Sequence, residues 1–236
     1  MSGEKILVVD DDPDISEVIN LYLTKNGFEV FSADDGQKAV DTACLLKPDL
    51  IILDIQMPKL DGFEVCQEIR KESNVPILFL SCKGEETDKI VGLTIGGDDY
   101  ITKPFMAGEL LARVKSHLRR SRTVGTQKKP ETGAITFPGI SIDPASHSVL
   151  VNGQLVALPA KEFQLLATLA KRPNVIFGIE QLFQSLWGAD SLGDNRTVMV
   201  HISNLRKKIE TDPANPKYIH TVKGVGYKFS PPAASE

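Results

Sequence analysis

Two hydrophobic patterns alternate along the first 120 residues. Short unbroken apolar runs lie near 5–10, 28–33, 49–54, 76–81 and 99–102. Between them the apolar residues fall at helical spacing, as in Ile15, Val18, Ile19, Tyr22 and Leu23. An unbroken apolar run reads as a strand covered on both faces, and the helical stripes supply the covers. Five such units predict an α/β fold, a five-stranded, doubly wound parallel sheet with helices on both sides. Pro13 suits the first turn of the first helix, and Gly27 follows its last.

From Ala134 the pattern changes. Short β patterns appear in ITFPGISID and SVLVNGQLVAL, with Asn152-Gly153 as a hairpin turn. Helices are predicted over 160–172 and 179–187, ended by Pro173 and Gly188. A third helix, Asp194 to Glu210, buries Val198, Ile202, Leu205 and Ile209. Its other side carries Arg196, Thr197, His201, Ser203, Asn204, Arg206 and Lys207. Tyr218 to Phe229 forms a hairpin with a glycine-rich tip. Helix, turn, helix and hairpin make an α+β winged helix-turn-helix. Ser121 to Gly133 has no apolar period and reads as a flexible linker. The expected domains are therefore 1–120, a linker over 121–133, and 134–231.

The strand ends carry the chemistry. The first strand ends in Asp10, Asp11 and Asp12, and the third ends in Asp54 before the turn signals Pro58 and Asp61-Gly62. Asp54 alone would read as an ordinary turn cap. Adjacent parallel strands, however, bring their C-terminal ends together, where open α/β sheets bind ligands. Crowded carboxylates raise one another's pKa unless a cation neutralises them. A hard divalent ion such as Mg²⁺ suits this oxygen set. Ser81 and Lys103 close two further strands. Acids, a hydroxyl and a lysine on one edge make a phosphoryl-transfer constellation with Asp54 as nucleophile.

Charge separates the two halves. Residues 1–120 hold 22 acidic and 14 basic side chains, and the remainder holds 9 and 13. The basic second half points toward nucleic acid although the whole chain is net −4. Cys44, Cys66 and Cys82 show no ligand spacing, which fits a reducing cytoplasm. Cys82 reads as a small buried apolar residue, with oxidation sensing as the alternative. No run is long enough to span a membrane, and no signal-peptide pattern precedes Lys5.

With the acidic pair, Asp54, Ser81, Tyr100 and Lys103-Pro104 in order, residues 1 to about 120 resemble the receiver (flavodoxin-like) domain of two-component signalling. The resemblance implies phosphorylation of Asp54 by a sensor histidine kinase. It implies Mg²⁺ or Mn²⁺ held by Asp11, Asp54 and the Gln56 carbonyl, with Asp10 acting through water. Ser81 and Tyr100 would form the switch, and Gln56 and Lys83 would tune hydrolysis. It also implies a homodimer on activation, in which Lys89 meets Glu109 and Asp99 meets Arg113 across a two-fold, with Asp98 on the same face. Thr94 departs from that pattern, where relatives often place an acid opposite a base such as Lys115. The bland reading of the same charges is a solvated helix face.

LWG, NRTVMVHISNLRKKIE and TVKGVGYKF resemble the output domain of the OmpR/PhoB class; the first domain and parts of the second also resemble, more loosely, the VanR group. By that resemblance Trp187, Arg196, His201, Thr221 and Tyr227 contact the DNA backbone. Trp187 reads equally as core, and His201 has a buried structural alternative. Ser203, Asn204 and Lys207 are candidates for base readout, with Arg206 on the same side. Lys223 at the wing would enter the minor groove. Relatives often carry basic residues at 203 and 204, which shifts affinity toward the wing. The expectation is a cytoplasmic transcription regulator, not an enzyme beyond self-dephosphorylation, with promoter DNA and RNA polymerase as partners. A phosphohydrolase with an Asp nucleophile is one rival, but it would need a second Asp where Gln56 stands. An output domain that binds protein or RNA is the other.

Overall fold

The computed structural model describes residues 3–82, 91–122, 133–188 and 196–232, with main chain only over 119–122. Two compact units divide at Ser121 and Arg122.

The first unit holds β1 (Lys5–Val9), α1 (Pro13–Lys25), β2 (Glu29–Ala33), α2 (Gly36–Leu46), β3 (Leu50–Asp54) and α3 (Gly62–Arg70). It continues with β4 (Ile77–Cys82), helical residues 91–94 (α4), β5 (Asp99–Lys103) and α5 (Ala107–Arg122). The parallel sheet runs β2-β1-β3-β4-β5, as the apolar runs predict. Alternate strand residues point to opposite faces. Ile6, Val8, Leu50, Ile52, Leu78, Leu80 and Ile101 pack with Ile19 and Leu23 of α1 and Leu110, Val114 and Leu118 of α5. On the other face Phe63 of α3 meets Phe79 edge-on. The order reverses direction between β1 and β3, so their C-terminal ends open a crevice at the switch point.

Local signals set the crevice walls. Asp12 caps α1 by accepting from the Asp14 and Ile15 amides, which assigns this third acid to structure. Asp61 and Glu64 form a capping box at α3. Gly62 follows because its α-carbon lies against the end of β3. A β-carbon there would stand 2.1 Å from the Asp54 carbonyl oxygen. Cys66 is buried, and burial pushes its thiol up to about 11. Cys82 is exposed at the end of β4, correcting its reading as a buried residue, because the sheet ends there.

The second unit opens with an antiparallel sheet of β6 (Ile135–Phe137), β7 (Ile140–Asp143), β8 (Ser148–Val151) and β9 (Gln154–Val156). Asn152 and Gly153 both have positive φ, as their two-residue turn requires. Then come α6 (Ala160–Ala170), β10 (Phe177–Gly178), α7 (Ile179–Trp187), α8 (Arg196–Ile209), β11 (Ile219–Val222) and β12 (Gly226–Phe229). β11 and β12 form the wing hairpin, and β10 adds a third strand. That short strand carries no periodicity of its own and was not expected. α5 runs through Arg122, two residues into the stretch read as linker, and 123–132 lie outside the described residues. Among the described residues no helix is long and apolar enough to cross a membrane.

Candidate functional site

The parallel register sets Val9 beside Leu53, so the next residues, Asp10 and Asp54, converge. Both are buried, and Asp11 is exposed at the rim. Ligand oxygens of all three lie within 4.8 Å of one another. Lys103, from the end of β5, reaches across the edge. Its Nζ stands 2.8 Å from Asp10 Oδ2 and 2.9 Å from Asp54 Oδ2. Burial raises the Asp54 pKa, Lys103 opposes the rise, and the Asp10 charge adds to it. Burial works against the Lys103 ammonium too, but its bonds to Asp10 and Asp54 outweigh that and raise its pKa.

Two polar atoms here are buried without a hydrogen-bond partner among the described residues: Asp54 Oδ1 and Ser81 Oγ. Orphaned buried oxygens are rare and costly. Two at one sheet edge, on a carboxylate and a hydroxyl, suit an incoming charged group. The acidic donor set suits a hard divalent cation as well: of its three carboxylates, only Asp10 and Asp54 pair with Lys103 among the described residues. Tyr100 is buried in β5, in register with Phe79, two residues before Ser81 on the neighbouring strand. Gln56 is exposed, and its Oε1 accepts from Cys82 Sγ at 3.3 Å. An amide at that place cannot act as the general acid that the phosphohydrolase reading requires. Lys83 and Lys89 lie outside the described residues.

The charges expected on the pairing face are arranged differently. Asp98 is fully buried, paired with Arg70 Nη2 at 2.8 Å and accepting from the Ile77 amide. Arg113 meets Asp99 within the same chain, at 2.9 Å, and both are buried. Glu109 also meets Arg113, at 3.0 Å. Asp99 and Arg113, expected to meet across a two-fold, thus already pair within one chain. Burying the carboxylate at the head of β5 demands a cation from its own chain. Asp98 is likewise removed from the surface.

In the second unit the exposed face of α8 is narrower than the sequence suggests. Arg196, Ser203 and Lys207 are exposed. Thr197, His201 and Asn204 are buried, correcting their placement on the outer side. Trp187 is only 2% exposed, stacked on Phe183 and tilted against His201. Tyr227 is also buried, at 6%. These four candidates for DNA contact, Trp187, His201, Asn204 and Tyr227, pack within their own domain, where they position α8 and the wing. Three helices and a wing must share one small core, which widens the buried arc of α8. Arg206 is half-buried. It donates to the Ile219 carbonyl and to Thr221 Oγ1, tying α8 to β11. Lys223 is exposed at the wing turn.

Three residues of this domain were not singled out in the sequence. Met199 is 49% exposed on the α8 face between Arg196 and Ser203. Lys208 pairs with buried Glu162 at 2.7 Å. Glu210 accepts from the amides of Lys217, Tyr218 and Ile219. Helical spacing from Arg196 would have found Met199. The other two contacts are made by tertiary folding and leave no local signal.

Fold and site define a class: an acid-lined receiver domain joined to a winged-helix DNA-binding domain. Residues 6–115 match the family described as response regulator receiver domain. Residues 153–229 match transcriptional regulatory protein, C terminal. A cysteine-to-aspartate variant of RitR is 26% identical, over 98% of this chain and 100% of that one, with a TM-score of 0.79. DrrB of Thermotoga maritima, an OmpR/PhoB homologue, is 32% identical over 97% of this chain and 99% of that one, with a TM-score of 0.49. The receiver domain of a Francisella response regulator is 38% identical over 50% of this chain and 99% of that one, with a TM-score of 0.49.

The two family matches and the sequence identity to DrrB along both chains settle the assignment: this chain belongs to the OmpR/PhoB family of two-component, DNA-binding response regulators.

Proposed function

We propose that this regulator is switched by phosphorylation of Asp54. The observation that supports it is the buried Asp54 carboxylate, with Oδ2 held by Lys103 at 2.9 Å and Oδ1 unpartnered. Lys103 orients the carboxylate and leaves one oxygen to attack. That oxygen forms the bond to phosphorus while the phosphorus–nitrogen bond of a kinase phosphohistidine breaks. Asp10, Asp11, Asp54 and the Gln56 carbonyl would hold Mg²⁺ or Mn²⁺, which supplies charge neutralisation at the phosphoryl oxygens. Lys103 offers a further positive group to them, and the Ser81 hydroxyl offers a donor. Ser81 moving toward the acyl phosphate opens space for Tyr100, the proposed route from site to surface. Hydrolysis returns Asp54 and inorganic phosphate, with Gln56 and Lys83 setting its rate. No external substrate is turned over.

The altered receiver face, Lys89 and Glu109 included, then pairs two chains, which act in the cytoplasm. Their output domains bind repeated promoter half-sites, and pairing raises affinity because the second domain binds nearly intramolecularly. Arg196, Ser203 and Lys207 on α8 meet the major groove, and Thr221 and Lys223 of the wing meet backbone and minor groove. RNA polymerase is the further partner on the promoter.

Intact mass after acetyl phosphate and magnesium tests the first step. A phosphoryl adduct on the Asp54 peptide, absent in Asp54→Ala, is expected. No adduct under conditions that modify a control regulator ends the reading. Sedimentation with and without the adduct tests the pairing, and an unchanged monomer fraction would remove it.

A further inference from the structure

The exposed stripe of α8 holds one side chain whose chemistry differs from its neighbours. Arg196, Met199, Ser203 and Lys207 succeed one another at spacings of three, four and four. At about 100° per residue they share one face, with Ser203 near its centre and Met199 about 40° to one side. All four are exposed, and Met199 is 49% exposed. The apolar residues of the same helix that serve the core, Val198, Ile202, Leu205 and Ile209, are buried on the opposite arc. Met199 is thus not core, and it stands between a guanidinium and a hydroxyl on the surface proposed to enter the major groove.

The major-groove edges of the four base pairs present donors, acceptors and one apolar group, the thymine 5-methyl. A thioether offers neither a strong donor nor a strong acceptor, and its unbranched stem adapts to a small apolar target. We infer that Met199 is a specificity-determining residue that packs on a thymine methyl, so that each half-site carries an obligatory T opposite the first turns of α8. The inference rests on the reading of this domain as a duplex-DNA binder. It adds which base is read, and by which side chain. Ser203 and Lys207 cannot supply this preference, because both address polar base edges. The buried Asn204 leaves Met199 and Ser203 as the central pair of the stripe.

The test uses the full-length chain treated with acetyl phosphate and magnesium, its phosphoryl adduct verified by intact mass, and a synthetic duplex library with a randomised central segment. Wild type, Met199→Ala and Met199→Gln are carried through the same selection and sequencing. Circular dichroism and the melting of each protein are recorded first, and an exposed substitution leaves both unchanged. Wild type is expected to enrich one invariant T per half-site. Replacing that thymine by uracil, which lacks the methyl, weakens wild-type binding roughly fourfold, the loss of about one buried methyl group. Met199→Ala shows no penalty for uracil and selects sites with that column flat. Met199→Gln shifts the column toward bases with polar edges. If Met199→Ala keeps the same T and the same uracil penalty, the inference is wrong while DNA binding stands. If wild type enriches no duplex, the DNA-binding reading itself fails, and the inference with it.

Discussion

Arg113 Nη1 lies 2.9 Å from both carboxylate oxygens of Asp99 in its own chain. Both side chains are buried, and His117 Nε2 stands 3.4 Å from the same carboxylate. A pair of this kind is costly to break from one side, because the remaining charge is left in a poor solvent. Arg113→Ala is therefore expected to destabilise the unphosphorylated receiver by about 3–5 kcal/mol. Urea unfolding of the monomer measures it. An unchanged midpoint combined with lost dimerisation would return Arg113 to a role between subunits.

The same pair sets an acid limit. Burial pushes the Asp99 carboxyl up, but Arg113 and His117 together overcome it and hold the pKa at about 2. The unfolded carboxyl titrates near 3.8. Folding thus favours the ionised form. Its contribution is complete above the unfolded value and is lost as pH falls through about 2. Over that window it amounts to roughly 2–3 kcal/mol. Asp54 has the opposite sign, since its pKa is raised. A pH series of unfolding free energies for wild type and Asp99→Asn is expected to converge between pH 4 and pH 2. Parallel curves would show that Asp99 titrates alike in both states.

What the sequence revealed and what it hid divide along one physical line. Strands such as Leu50–Asp54 announce themselves, because burial on both faces removes every polar residue until the functional one. The convergence of Asp10, Asp54, Ser81 and Lys103 follows from parallel topology, which the alternation of apolar runs and helical stripes already implies. Charges within a helix or strand were harder to place. Asp98, Asp99 and Arg113 look like surface residues until the partner across the fold is known. His201 and Asn204 looked exposed because a stripe of four apolar residues underestimates the arc that a small three-helix core buries.

Lys103 competes for the oxygens that a divalent cation would use. Its Nζ is shared between Asp10 and Asp54 at 2.8 and 2.9 Å. Removing that positive charge leaves the carboxylates repelling one another and lowers the cost of admitting another cation. Lys103→Gln is expected to bind Mg²⁺ at least roughly fivefold more tightly, about 1 kcal/mol for unit charges near 4 Å in a water-like dielectric. The same variant accepts phosphoryl groups more slowly, since nothing orients Asp54 Oδ2. Calorimetric titration with magnesium chloride reads the affinity. Equal affinities in the two proteins would mean that Lys103 does not occupy the cation's place.

Glu210 follows the last turn of α8 and ties it to β11 of the wing. Its carboxylate accepts from the amides of Lys217, Tyr218 and Ile219 at 2.7, 2.9 and 2.8 Å. Arg206 fixes the same strand through the Ile219 carbonyl. Glu210→Gln removes the charge and turns an NH₂ group toward amide donors, so about 1.5–3 kcal/mol of stability is expected to go. The chain has one tryptophan, Trp187, buried in the second unit. Its fluorescence therefore follows this unit alone through a thermal melt. The wing held by Glu210 carries Lys223, so duplex binding by Glu210→Gln weakens to a similar degree on every sequence. Lys223→Ala separates the two effects: it leaves the melt unchanged and lowers the salt slope of binding by about one. A Glu210→Gln melt that coincides with wild type would show that the three amides find other acceptors, and that the wing does not depend on this carboxylate for its place beside the helix.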